Sequence, residues 1–432
     1  MYAARKRLAR RGIGYPEFEQ NHSVAITSLF SAQPEKIVQN LRRGRDTPEK
    51  ILEFNRRTAA QLRQLCCTGD YNKILISGED IGTLDSAGVE RLKHFFDPLV
   101  SGYRLIFYIR RPVSYINSAA QETIKGGARL EDLSVNPPFP HYRRRLEPFL
   151  DQFGKAAHDL RLYDGALLNG GLLRDFCTAL GEPALSKKIS SGLKNRSWSR
   201  NAVRIMSAFN TRYPLLTTNR NGIGSLNPDR PPDGVLRNVL QYVPGPVFAL
   251  EPSCVAEVVA RCQEDITWLE GIYGPGIDDS HETARSFDPT ADCDLSNNQI
   301  AETVELLCNL CRHGQSDPKS AQSSCDALLQ RYGSNPELWF QRGVALLCQS
   351  NFHDADAALR RTLDLDPEHF RAWNQLAVTR QRRGNLLGAW TAAGRSVALS
   401  PEADVFKERL ANIKRQFWKQ FPVSLWRQLH PR

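Results

Sequence analysis

The sequence predicts an α/β domain built on a parallel sheet, followed by an all-α solenoid of short helical repeats. Three observations predict it. Towards the C-terminus the chain repeats itself every 34 residues, so that Trp339 matches Trp373, Asn351 matches Asn385, Ala355 matches Ala389 and Pro367 matches Pro401. Over the first 275 residues, short apolar runs alternate with amphipathic stretches, the order of strand, helix and strand. Between them, residues 275–300 hold six acidic residues against one basic, with little apolar periodicity. That composition reads as a linker. At 432 residues the chain is also too long for one ordinary core.

The first region justifies its elements in order. "NKILIS" is a short buried-strand run. "DSAGVERLKHFFDPLV" is a helix with Asp85 or Ser86 as its N-cap. "YRLIFYIR" is the next strand, and Pro112 then starts a helix that Gly126 and Gly127 end. A helical stretch, "HYRRRLEPFLDQFGKAA", leads to the strand-like "LRLYD" and the helix "GGLLRDFCTALG". Strand–helix–strand spacing of this length implies a parallel pair with a right-handed crossover.

In the repeats, the bulky Trp fills a groove, the Ala lets helices approach, and the Pro ends the second helix. Leu363 falls on Val397 and Leu365 on Leu399; a degenerate earlier unit sets Ala321 on Ala355 and Leu329 on Leu363. Three units are about the minimum that buries a continuous core by stacking. "KERLANIKRQFWKQFPVSLWRQL" is amphipathic and caps the open end, with Trp418 and Trp426 as packing residues. The pattern resembles the tetratricopeptide repeat, which implies a protein or peptide partner. The expected organisation is a domain over 1–274, a linker over 275–300, repeats over 301–402 and a capping helix and tail over 403–432.

Composition narrows the partners. The net charge of +10 suits an anionic ligand. The first 45 residues hold nine Lys/Arg against three Asp/Glu, yet no aromatic residues interleave with "ARKRLARR", so the reading is a solvated helix face and not a nucleic-acid site. No apolar stretch approaches the roughly 20 residues of a membrane span. The basic start lacks an apolar h-region, and ten scattered cysteines read as reduced thiols, so a cytoplasmic location is expected. Cys308 and Cys311 form a CxxC near Cys325, but within a helical pattern where cysteine packs as a small hydrophobe. No metal is expected.

The functional question centres on "RLIFYIRRPVSYINSAAQ". Arg110 ends an apolar strand and Pro112 opens the following helix. Ligands of open parallel sheets bind beyond the carboxyl ends of strands. The first-turn amides of that helix and its dipole favour an anion at the same spot. A phosphate beside Arg110 is one reading; an arginine paired with a surface carboxylate is the other.

An apolar strand ending in Arg, a Pro two residues on and a Ser eight residues on resembles the 3′-phosphate-binding motif of sulfotransferases. "ILISGE", "RLYDGALLNGGLLRDFCTALG", "KNRSWSRNAVRIMSAFN" and "CQEDITWLEGIYG" resemble further segments of bacterial members, over about Gly12 to Gly274. The resemblance implies a P-loop-NTPase-like α/β fold and 3′-phosphoadenosine 5′-phosphosulfate as co-substrate, with Arg110 and Ser118 as phosphate ligands. It also implies a hydroxyl acceptor, commonly a carbohydrate. The family begins with a strand and a Lys-Thr-Gly-Thr-Thr-like loop that holds the phosphosulfate. No such run occurs here, so the domain reads as N-terminally truncated. "SGEDIGT" follows a strand but has no lysine, and Glu79 and Asp80 would repel a phosphate. Transfer needs a base for the acceptor proton; Glu79, after the "ILIS" run, and His22, in "NHS", are the candidates. Glu79 has an alternative role as an ion-pair partner of an arginine such as Arg110, and Lys125 adds positive charge or is simply solvated. Two readings stay open: a sulfuryl-transferring enzyme, and a non-catalytic relative that binds partners through its repeats.

Overall fold

A computed structural model of the chain describes residues 4–163, 171–188, 197–218, 224–279, 295–314, 316–401 and 403–420. Most of the expected linker, the start of "KNRSWS" and the tail with Trp426 lie outside the described residues. The molecule is mostly helical, with a few small sheets.

The chain opens with α1 (Arg5–Ala9), β1 (Ile13–Gly14), α2 (Ser23–Phe30), α3 (Val38–Arg42) and α4 (Pro48–Cys67). Then come β2 (Lys73–Ile74), α5 (Ser86–Phe96), β3 (Leu105–Ile109), α6 (Pro112–Lys125), α7 (Leu130–Val135), α8 (Tyr142–Phe153), β4 (His158–Leu162) and α9 (Leu172–Ala179). The basic opening helix buries only Leu8, and its neighbours Arg5 and Arg11 pair with Glu17 and Glu182. Asp85 is the N-cap of α5, accepting from the Gly88 amide at 2.7 Å. α6 begins at Pro112 and ends before Gly126 and Gly127. Gly127 has φ +113°, and a Cβ there would stand 2.8 Å from the Leu215 side chain, so both conformation and space require glycine.

β1 pairs with β2, and β3 with β4, both parallel. The strand expected over "NKILIS" has only two paired residues. Lys73 and Leu75 donate to Gly12 and Gly14, so by alternation the amides of Ile74 and Ile76 point away from β1. On β3, Ile109 accepts from Tyr163, so Ile106 and Tyr108 point away from β4. Among the described residues these two edges carry no strand partner.

The two strand pairs share their covering helices. Ile76, Leu105 and Phe107 pack into one apolar cluster with Phe30, Val89, Phe96 and Phe149. On α9, Cys177 packs near Leu75, while Asp175 accepts from Tyr108 Oη at 2.6 Å and from Arg161 at 2.8 Å. Such double coverage is how parallel strands are held.

The next elements are α10 (Arg200–Arg212), the antiparallel β5 (Leu216–Thr218) and β6 (Gly224–Leu226), α11 (Gly234–Leu240), α12 (Pro252–Arg261) and α13 (Gln263–Tyr273). Seven helices follow: α14 (Asn297–His313), α15 (Pro318–Arg331), α16 (Pro336–Cys348), α17 (Phe352–Leu365), α18 (Phe370–Arg382), α19 (Leu386–Leu399) and α20 (Asp404–Gln420). Their repeat has a local chemistry. Trp339 and Trp373 each donate from the indole to a carbonyl six residues earlier, at 2.8 Å in both cases. Asn351 and Asn385 each cap the second helix of a pair. A Cβ on Gly343 would meet Leu359 at 2.8 Å, so glycine sets the approach of α16 to α17. Ile413 of α20 closes the second core against Leu376, Ala389 and Ala393.

The two regions are not joined as beads on a thread. α14 packs on α10 and α11, and Leu307 and Leu310 share one core with Met206, Phe209 and Leu236. Asn335 donates to the Val239 carbonyl at 2.9 Å, and Tyr242 to Asp366 at 3.1 Å. The first residues of the expected linker are equally built in, for Ile277 and Asp279 are buried. No helix among the described residues is long and apolar enough to cross a membrane.

Candidate functional site

Arg110 follows the last residue of β3, and two tyrosines fix it. Its carbonyl accepts from Tyr142 Oη at 2.5 Å. Its guanidinium lies over the Tyr163 ring, 4.3 Å from the centroid. Among the described residues it has no carboxylate partner, so Glu79 does not fill the ion-pair role. A stacked guanidinium offers its edge N–H groups for bidentate hydrogen bonds to an oxyanion.

The amides of the α6 first turn behave differently from expectation. The Val113 amide donates to Asp279 Oδ1 at 3.0 Å, and Asp279 is 1% exposed. Glu270 gathers the amides of Gly276 and Ile277 at 3.1 and 2.9 Å, while Arg111 donates to the Gly276 carbonyl. The segment after α13 is thereby folded onto the helix start, and the chain's own carboxylate takes the dipole site expected for an external anion. The Val113 amide is therefore not open to an external anion.

Ser118 stands half-buried on α6, its hydroxyl without a hydrogen-bond partner among the described residues. Ile116, Ala120 and Ile124 supply the core face of that helix. Ser118 lies roughly 9 Å along the helix axis from Pro112. Lys125, by contrast, is engaged: it pairs with Glu122 at 2.7 Å and lies over the Trp198 ring.

The two candidate bases part company. Glu79 begins a short 3₁₀ turn after β2, exposed and without an ion pair among the described residues. His22 is fully buried. Its Nδ1 accepts from the Ser77 amide at 3.0 Å, which leaves Nε2 to donate to the Pro16 carbonyl at 3.1 Å. Burial pushes its pKa down to about 4, only partly offset by the Pro16 bond. With both nitrogens engaged in joining the β2 end to α2, His22 is a framework residue and not the base expected of it.

The CxxC cysteines and Cys325 are equally occupied by packing. Burial raises the thiols of Cys308, Cys311 and Cys325, the last two to about 12. A thiol so resistant to ionisation is a poor metal ligand. No cluster of three or more His, Cys, Asp or Glu suited to a metal occurs among the described residues.

Sequence reasoning missed Tyr163, Tyr142 and Asp279. Tyr163 had a weak signal, since it follows a strand as Arg110 does. Asp279 had none, being 166 residues from the amide it caps. Comparison with protein-family models and with curated proteins found no match to this chain.

Proposed function

We propose that the first region is a sulfotransferase-like nucleotide-binding domain that grips the 3′-phosphate of 3′-phosphoadenosine 5′-phosphosulfate through Arg110 and Ser118. The observation that carries this reading is the Arg110 guanidinium, held at the carboxyl end of β3 over Tyr163 and without an acid among the described residues. A guanidinium presented edge-on in this way suits an oxyanion. The Ser118 hydroxyl, unpartnered among the described residues, supports the same assignment.

Among the described residues the outward edges of β2 and β3 carry no strand partner. A strand laid against either edge would extend a parallel sheet. In the family this chain resembles, such a strand leads into the lysine loop that steadies the bridging oxygen as sulfuryl passes in line to a hydroxyl. The chain contains no Lys-Thr-Gly-like run, so no residue is assigned that task. Glu79 is the remaining candidate base, with a carbohydrate hydroxyl as the acceptor class. The helices from α14 onward read as tetratricopeptide-like repeats that engage a protein or peptide.

A second reading is a binding module, in which the repeats engage a protein or peptide and the α/β domain is a degenerate nucleotide-binding scaffold. Arg110 and Ser118 favour the first reading, so nucleotide binding is tested first. Adenosine 3′,5′-bisphosphate raises the melting temperature of the intact chain, and Arg110→Ala abolishes the rise. An absent shift, or one unchanged in the variant, counts against the site and leaves the second reading.

A further inference from the structure

At the opposite end of α6 from Arg110, three arginines gather around one carboxylate. Arg230 stacks over the Phe209 ring with its side chain 6% exposed; it donates to the Tyr213 carbonyl, to Asn210 Oδ1 at 2.9 Å and to Asp233 Oδ2 at 3.1 Å. Arg237 donates to the same Asp233 oxygen at 2.8 Å. Its Nε is buried and has no hydrogen-bond partner among the described residues. Arg42, on α3, reaches across to the Gly126 carbonyl at 2.8 Å. Asn210 donates to the carbonyls of Ile124 and Ala128, so the turn after α6 draws the arginines to one place.

Among the described residues Asp233 is the one carboxylate paired with this group, through the buried Arg230 and the partly exposed Arg237, while Arg42 stands exposed beside them, so positive charge is in excess. The crowding is felt at Arg42, whose pKa is lowered by burial first and then by Arg237. The negative end of α6 accounts for the Arg42 contact. It does not account for Arg230 and Arg237, which belong to α11 and the loop before it. Charges so placed are ordinarily paired, and arginine's planar fork fits tetrahedral oxyanions in particular.

We infer that Arg42, Arg230 and Arg237 form a binding site for a multiply charged oxyanion, a phosphate or sulfate ester. Arg42 and Arg237 supply the open donors, and Arg230, held by Asn210 and Asp233, supplies fixed charge. The length of α6, about 21 Å for its 14 residues, separates this site from Arg110. The inference therefore goes beyond the nucleotide reading and stands without it.

The test titrates the intact chain with inorganic phosphate, and separately with inorganic sulfate, at low millimolar concentration and constant ionic strength, following the melting temperature. The measurement is made in an Arg110→Ala background, so that anion binding at Arg110 cannot imitate the result. A saturable rise in that background, lost on adding Arg42→Gln and Arg237→Gln, supports the site; the anion with the tighter response identifies the ester class. The single Arg42→Gln change, on an exposed side chain, weakens the midpoint at least fivefold and serves where the combined variant does not fold. No saturable rise, or a midpoint unmoved by Arg42→Gln, overturns the inference.

Discussion

At Arg110 the guanidinium gives one face to the Tyr163 ring, and its edges have no partner among the described residues. His22 shows the opposite use of a polar side chain, with every donor and acceptor committed to the fold. That difference has a consequence in pH. The folded pKa of His22, about 4, lies below the usual imidazole value near 6.5, so the unfolded chain binds the extra proton between those limits. Stability contributed by neutral His22 is then complete above about pH 6.5 and is lost as the pH falls towards 4. The full effect is on the order of 3 kcal/mol. Urea unfolding at pH 7 and pH 5 measures it. His22→Ala should lower stability at pH 7 by about 1–3 kcal/mol, since the Ser77 amide loses its acceptor, and should flatten the pH dependence. A slope unchanged in the variant would assign the titration elsewhere. At the other end of the β3–α6 connection, Asp279→Ala removes the carboxylate from the Val113 amide and should cost about 1 kcal/mol, with Asp279→Asn recovering part of it.

Among the elements, those bounded by local chemistry were legible in the sequence. Pro112 and Gly126–Gly127 bracket α6 as read, and the Asn351 and Asn385 caps explain why those positions recur at 34 residues. β2 was overestimated because an apolar run states what a strand buries and not whether its edges are paired. The repeat also carries a charge relation that only packing exposes. Glu337 and Arg371 occupy equivalent positions one repeat apart and meet at 2.6 Å, with Glu337 2% exposed. His369 and Gln341 complete the carboxylate's shell. Arg371→Ala should therefore cost about 3 kcal/mol, because a buried carboxylate loses its cation. Glu337→Gln in the same background should restore part of that loss. An Arg371→Ala variant as stable as the parent would show the pair to be incidental.

For the whole molecule, the acidic stretch after Pro275 suggested independent halves, but the core runs through the boundary. Sequence could not show this, since α14 reads as an ordinary amphipathic helix whichever surface it meets. With Leu307 and Leu310 packed among Met206, Phe209 and Leu236, the chain should melt in a single calorimetric transition. A fragment starting at residue 297 should keep helical circular dichroism yet melt lower than the intact chain, because that face of α14 is exposed. Two separate transitions in the intact chain, or a fragment as stable as the parent, would contradict a shared core.

The functional account turns on whether Arg110 and Ser118 read a 3′-phosphate. Isothermal titration of the intact chain with adenosine 3′,5′-bisphosphate, set beside adenosine 5′-monophosphate, tests that most directly. The account predicts clear binding of the bisphosphate, at least tenfold weaker binding of the monophosphate, and a several-fold loss in Ser118→Ala. Equal affinity for the two nucleotides, or no heat from either, would contradict it.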